Sequence, residues 1–358
     1  MIDEQTSKRI TSLRYILATL VVFIHINIHD FLPENSTSQS VIYQFVFQLI
    51  NGGIASCAVP LFFMFAAYLQ VKKNDTYNTL IAKRIKSLVV PYCFWVGFYL
   101  LVFSVGKSLV AYKYPEILTN SNELYYSWSA KDWFHRIIGF SDESLGAPLV
   151  AVPFWFVRDL FIFITLSPII IRAIKKCPFI MFMAVTLFSI LGNCPFDHHL
   201  NKAIFYYVLG LYWGIYDINI FEKADKISYV EVSALFLFCV ITTFCLPESN
   251  NLLHWLITAS AVIIALKFSK LLLVPEKRYS NLQELSHYSF FVYAAHAPII
   301  VMATQKVLVH LLPTNNSFQL LIIYFVGAII SISISTIIGI LLRKYLPSFF
   351  AFINGGRK

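Results

Sequence analysis

Long apolar runs recur along this chain, each near the length that a helix needs to cross a bilayer, and polar segments separate them. Hydropathy predicts about ten membrane helices. They lie near Ile10–Ile28, Ile54–Val71, Leu88–Val105, Leu149–Ile171, Phe179–Leu191, Ala203–Ile218, Tyr229–Leu246, Leu252–Leu273, Tyr288–His310 and Phe318–Leu342. Phe179–Leu191 is short for a full span. Val41–Leu49 reads as an outer helical piece that Gly52-Gly53 should end, because paired glycines make helix continuation costly. The pattern predicts one all-α, polytopic membrane bundle over residues 1–358, without a repeat or a Ser/Gly-rich linker to a soluble domain.

Composition agrees: 58% of the 358 residues are hydrophobic and only 13% charged, too little polar surface for a soluble fold. Ile10–Ile28 is followed by HDFLPEN rather than a small-residue cleavage site, so it reads as a first span and not a signal peptide. The six cysteines have no CxxC or metal spacing and read as packing residues. A net charge of +9 could signal nucleic acid, but the basic residues fall in short loops between spans. With the N-terminus inside, inner segments hold most of the 28 Lys and Arg, among them Lys72, Lys73, Lys83, Arg84, Lys86, Arg343, Lys344 and Arg357. That asymmetry predicts an even number of spans, both termini cytoplasmic, and a bilayer rather than nucleic acid as partner. The longest polar connection, Lys107–Gly146, then falls outside. It carries Tyr112, Tyr114, Tyr125, Tyr126, Trp128 and Trp133, either as a cover over a sugar or as an interfacial aromatic belt.

Arg14 and His25 share one apolar run, RYILATLVVFIH. Eleven residues at about 100° each come within roughly 20° of three full turns, so both share a face about 16 Å apart along the axis. A guanidinium in a membrane segment faces a protein interior, a cavity or the interface, and its planar fork suits a phosphate. Snorkelling to headgroups is the plain alternative. His25 can accept a proton from a hydroxyl or can serve as a helix–helix hydrogen bond. His29 and Asp30 could orient it or be interfacial. The cluster around Arg84 and Lys86 is either topology or a nucleotide-phosphate dock. Arg158 and Asp159 lie inside the fourth span, where charges are functional by default. Being adjacent, they point about 100° apart and need not pair with each other. His296 follows Tyr293 by one turn, and Pro298 can bend that helix around a cavity. The exposed His198–His199 pair lacks a third ligand nearby, and no metal is expected.

In this order, these segments resemble the acyltransferase-3 family of polytopic membrane acyltransferases, and the resemblance covers nearly the whole chain. The family's first-helix Arg–ten residues–His signature matches Arg14 and His25. Its Pro-plus-aromatic second helix is similar to VPLFFMFAAYL, its basic run before a Pro-Tyr helix to Arg84–Tyr92, and its Trp-Phe-charge segment to Trp155–Asp159. Its late Ser/Tyr/His/Pro pattern matches Ser289, Tyr293, His296 and Pro298. Two departures stand out: Ala66-Ala67 replaces the usual Ser-Gly, and the paired-arginine motif appears as Lys83-Arg84-Ile85-Lys86.

The resemblance implies O-acetyl transfer in a bacterial-type inner membrane, from cytoplasmic acetyl-CoA or another acyl-CoA to a hydroxyl of a surface or lipid-linked glycan such as O-antigen. It implies His25 as base and Arg14, with Arg84 and Lys86, as the holder of CoA phosphate. Arg158, Asp159, Tyr293 and His296 would support an oxyanion or orient the base. One tunnel should join Arg14 at its inner mouth to His25 near its far end. Two rivals remain: a transporter or flippase of a lipid-linked glycan, and a non-catalytic sensor on the same scaffold. A transporter predicts repeated halves and paired interrupted helices, which are absent from the sequence.

Overall fold

The structure is a computed structural model describing residues 2–31, 40–113, 128–139, 150–192, 199–246 and 251–357. All regular structure among these residues is helical. The chain runs through α1 (Glu4–His25), α2 (Val41–Phe47), α3 (Ala58–Lys73), α4 (Tyr77–Arg84), α5 (Val90–Lys113) and α6 (Ala130–Ile137). It continues through α7 (Trp155–Lys176), α8 (Pro178–Leu191), α9 (Leu200–Ile215), α10 (Ile220–Asp225), α11 (Tyr229–Cys245) and α12 (Asn251–Leu272). The last part holds α13 (Glu276–Ser286), α14 (Ser289–Ala295), α15 (Val301–Leu311), α16 (Ser317–Tyr345) and α17 (Pro347–Ile353).

Six helical stretches among the described residues are long and apolar enough to cross a membrane, which makes this a multi-pass membrane protein. Two further apolar helices, α8 and α11, have 14 and 17 residues. Of the remaining expected spans, α9 has 16 residues and α1 carries Glu4, Lys8, Arg9 and Arg14.

Helix ends differ from expectation where local chemistry overrides hydropathy. α1 begins six residues early because the Asp3 carboxylate accepts from the Thr6 amide at 2.7 Å, capping a polar first turn. Gly52-Gly53 does not end the outer helix. The backbone runs on through a wide π-type turn, Gln48–Gly53, and a 3₁₀ turn, Ile54–Cys57, into α3. A Cβ on Gly53 would sit 3.1 Å from the Phe236 ring, so this glycine admits α11 rather than terminating a helix. α5 extends to Lys113, past the expected start of the outer connection. Most of that connection, including Tyr114, Tyr125 and Tyr126, lies outside the described residues, as does His198; so do the side chains of Tyr112, His29 and Asp30.

α1 runs through the bundle and touches α3, α12, α13, α14 and α16. Ile10, Leu13, Leu17 and Val21 are buried along one side of it. Arg9 is also buried, with its guanidinium held by Asp225 at 2.7 and 2.9 Å, Ser269 at 2.8 Å and the Leu266 carbonyl at 2.7 Å. Buried Lys267 caps the end of α10, donating to the carbonyls of Ala224, Asp225 and Ile227. These bonds fix the height of α1 against α10 and α12.

The most extensive helix pair is α3 against α9. A Cβ on Gly210 would lie 2.3 Å from the Met64 carbonyl oxygen and 2.9 Å from the Ala67 Cβ. Close approach through small residues is how helices associate where lipid offers no hydrophobic contrast. A buried polar chain ties both to α7: Tyr207 donates to Gln70 at 2.8 Å, and Gln70 to Ser167 at 2.8 Å.

Gly210→Ala is expected to push α3 from α9 and cost about 2 kcal/mol, seen as a lower thermal midpoint in detergent. The Arg9 hydrogen bonds hold the Asp225 carboxyl below its usual range. A depressed carboxylate contributes stability above its unfolded pKa and loses it as pH falls through the folded one. Asp225→Asn should therefore cost about 2 kcal/mol at pH 7, with a smaller deficit below about pH 4; a constant deficit would exclude the ion pair as the cause.

Candidate active site

Arg14 and His25 open onto two chambers rather than one tunnel. The Arg14 chamber is a cavity of about 350 Å³. The His25 chamber holds about 280 Å³. Phe156 and Tyr293 line both, forming a shared wall. α3 spans the two: Phe62, Phe65 and Ala66 face the first, and Pro60 and Phe63 the second. The expected continuous stripe on α1 is thus divided by aromatic rings that α7 and α14 contribute.

The Arg14 chamber is basic. Arg14, Lys73, Arg84 and Arg357 line it, with the hydroxyls of Ser87, Ser286 and Ser289 and the backbone of Gly355 and Gly356. No acid lines it among the described residues. Arg14 has accessible surface, and that surface faces the chamber between helices. Within the Lys83–Lys86 run, only Arg84 lines the chamber: Lys83 pairs with Asp75 at 2.6 Å, and Lys86 is exposed beside the Gly355–Arg357 turn. The Nε of Arg84 and the hydroxyl of Ser87 are buried without a protein partner. Burial first, then repulsion from Arg14 and Arg84, pushes the Arg357 guanidinium down to about 10, so it remains charged at neutral pH. Such a cluster is built to receive an anion.

The His25 chamber is mostly apolar. The rings of His25 and His296 lie 5.1 Å apart, centre to centre. His296 is fully buried, and its Nδ1–H donates to the Val292 carbonyl at 3.0 Å. That tautomer leaves Nε2 as an acceptor, and no protein group meets it. His296 stands just before Ala297, whose φ of −124° and ψ of 145° break the helix. The residue before a proline is driven towards extended backbone, so Pro298 produces the expected bend. Tyr293 donates a short hydrogen bond to the Pro153 carbonyl. His199 stacks on Trp155 at 4.1 Å, and Lys202 reaches the same chamber.

Arg158 and Asp159 pair with each other, which their adjacency left open. Arg158 Nε and Nη2 each lie 2.7 Å from Asp159 Oδ1, and Nη1 reaches the Ile138 carbonyl at 2.6 Å. The long arginine side chain curls back across the intervening angle, and neither residue lines either chamber. Sequence reasoning assigned no site role to Arg357, Lys202 and Ser87, which reach the chambers only through tertiary structure. Among the described residues, no three His, Cys, Asp or Glu side chains come together as a metal site.

A family profile described as "Acyltransferase domain", of the acyltransferase-3 type, matches residues 7–340. The chain belongs to this acyltransferase family. It is also similar to the succinoglycan biosynthesis protein ExoH of Rhizobium meliloti, at 24% identity over 99% of this chain and 94% of that protein. No solved structure matches.

In this acyltransferase, the Ala66-Ala67 departure has a structural counterpart. Ala67 is fully buried against Gly210, where α3 and α9 cross closely. Ala66 brings no hydroxyl to the basic chamber, where three serines are already present.

Inorganic pyrophosphate is expected to raise the thermal midpoint of the detergent-solubilised protein at low salt. Arg84→Gln should cut that rise by about half or more; an undiminished rise would place the anion elsewhere.

Proposed function

We propose that this acyltransferase carries an acyl group, acetyl in the simplest case, from a cytoplasmic acyl-CoA to a hydroxyl of a cell-surface or lipid-linked glycan at the outer face. The observation that carries this reading is the pair of chambers back to back. Among the described residues, one is basic with no lining acid, the other is lined by His25, whose ring lies 5.1 Å from that of His296, and Phe156 and Tyr293 line both. Arg14 and Arg84 hold donor phosphate, with Lys86 near the entrance. The flexible pantetheine arm then passes the shared wall and delivers the thioester to His25.

His25 removes the proton from the acceptor hydroxyl as its oxygen attacks the thioester carbonyl. A new C–O bond forms, and a tetrahedral oxyanion results. As it collapses, the C–S bond breaks and the proton on His25 passes to the departing CoA sulfur. Among the described residues no acid lines the His25 chamber, and His296, whose ring lies 5.1 Å from that of His25 and whose Nε2 has no protein partner, is a neighbour able to orient it. Tyr293 lines both chambers, and its hydroxyl can serve the oxyanion on leaving the Pro153 carbonyl. Arg158 and Asp159 then act at a distance, bracing α7 against the Ile138 backbone. Trp155 and its stacked His199 offer a flat aromatic surface for a sugar ring.

This reading places both termini in the cytoplasm and takes α1, α8, α9 and α11 as spans beside the six long ones. That arrangement puts the basic chamber on the side rich in Lys and Arg.

The test is mass analysis of surface polysaccharide from cells with and without this chain. The chain should add a base-labile acyl mass. His25→Ala, at matched membrane level, should lower it about 100-fold or more. Full acylation by that variant would remove His25 as the base, and tight acetyl-CoA binding by purified protein would argue against a transporter.

A further inference from the structure

The Asn354–Arg357 turn is built more rigidly than a chain segment outside the spans requires. Trp95 donates to the Ile353 carbonyl at 3.1 Å, anchoring the end of α17. Asn354 is fully buried and donates to the carbonyls of His287 and Arg357. Gly355 has a φ of +70°, and a Cβ there would lie 2.5 Å from the Ser87 carbonyl oxygen. Both the left-handed backbone and the close approach demand glycine. The turn returns Arg357 over the Phe290 ring at 4.5 Å, with Nη1 tied to the Asn354 carbonyl at 2.8 Å. One guanidinium is thereby held in a basic chamber that already contains two.

That placement opposes electrostatics unless the ligand is strongly anionic. A pyrophosphate diester bears about one charge per phosphorus, whereas a terminal phosphomonoester bears close to two and presents three acceptor oxygens. In coenzyme A the order from the thiol is pantetheine, pyrophosphate, then ribose with its 3′-phosphate. Arg14, Arg84 and Arg357 line the same chamber, Arg14 from within α1 and Arg357 from the turn after α17. Three guanidinium groups thus face a ligand with three phosphorus atoms, and with Arg14 and Arg84 assigned to the pyrophosphate, Arg357 is left for the monoester. The unpartnered Arg84 Nε and Ser87 hydroxyl supply further donors beside it.

We infer that Arg357, presented by the Gly355-Gly356 turn, is the residue that recognises the 3′-phosphomonoester of the donor, so that this acyltransferase discriminates coenzyme A from its dephospho form. This rests on the acyl-CoA reading above and adds a selectivity that the reading does not contain.

The experiment measures binding of coenzyme A and 3′-dephospho-coenzyme A to the full-length protein in nanodiscs, for wild type, Arg357→Ala and Arg357→Lys. Wild type should prefer coenzyme A by about tenfold or more, the strength of charge-assisted hydrogen bonds to one phosphate. Arg357→Ala should bring the ratio close to one by weakening coenzyme A alone, with dephospho-coenzyme A binding unchanged as a sign of correct folding. Arg357→Lys should give an intermediate ratio, since a point charge replaces a planar fork. Equal wild-type affinities, or an unchanged ratio in folded Arg357→Ala, would overturn the inference and leave the donor reading standing. Binding of neither compound to wild type would remove the donor reading and this inference with it. If Arg357→Ala does not fold, the wild-type ratio and Arg357→Lys decide the matter.

Discussion

A permanent charge within an apolar helix is tolerable only where the helix turns it away from lipid, and that requirement fixes the rotation of α1. With Arg14 facing a cavity, Ile10, Leu13, Leu17 and Val21 take the packed side. His25, about three turns on, must then also face the interior. The ion pair of Arg9 with Asp225 removes the remaining freedom, because it stops α1 from sliding along its axis. Rotation and height together decide which neighbours can line the two chambers.

The helices that hold this arrangement carry their own polar constraints. α3, α7 and α9 are tied by the Tyr207–Gln70–Ser167 chain and pressed together at Gly210. Such contacts are costly to leave half-made in a dry interior, so they select one register of the three helices. Phe156 on α7 and Phe63 on α3 meet edge to face at 4.7 Å, which carries that register to the chamber wall. The self-repelling arginines lie at the other extreme. Their cluster weakens the ligand-free protein and has to be supported by packing elsewhere.

How far the sequence could be read follows from which interactions are local. The all-helical membrane class and the shared face of Arg14 and His25 follow from periodicity, a property of one helix. Gly52-Gly53 misled because a glycine that weakens a helix alone can be kept for the approach of another, here α11. The Arg158–Asp159 pair was left open by the sequence because Cβ directions are 100° apart while a flexible arginine can span that angle. Arg357 and Lys202 read as ordinary basic residues because only the fold brings them to a cavity. Phe156 and Tyr293, which line both chambers, were not legible as a boundary for the same reason: they come from helices far along the chain from α1.

The aromatic partition between the chambers bears on energy conservation in the host membrane. A protein that moves an acyl unit from one aqueous compartment to another must not become a conduit for water or hydronium. Phe156 and Tyr293 line both chambers, and the Tyr293 hydroxyl is held by the Pro153 carbonyl. A slender, uncharged thioester tip can slip past such rings one molecule at a time. On the proposed function, Phe156 and Tyr293 would act as an insulating plug, keeping the bilayer's ion gradient intact while the acyl cargo goes through.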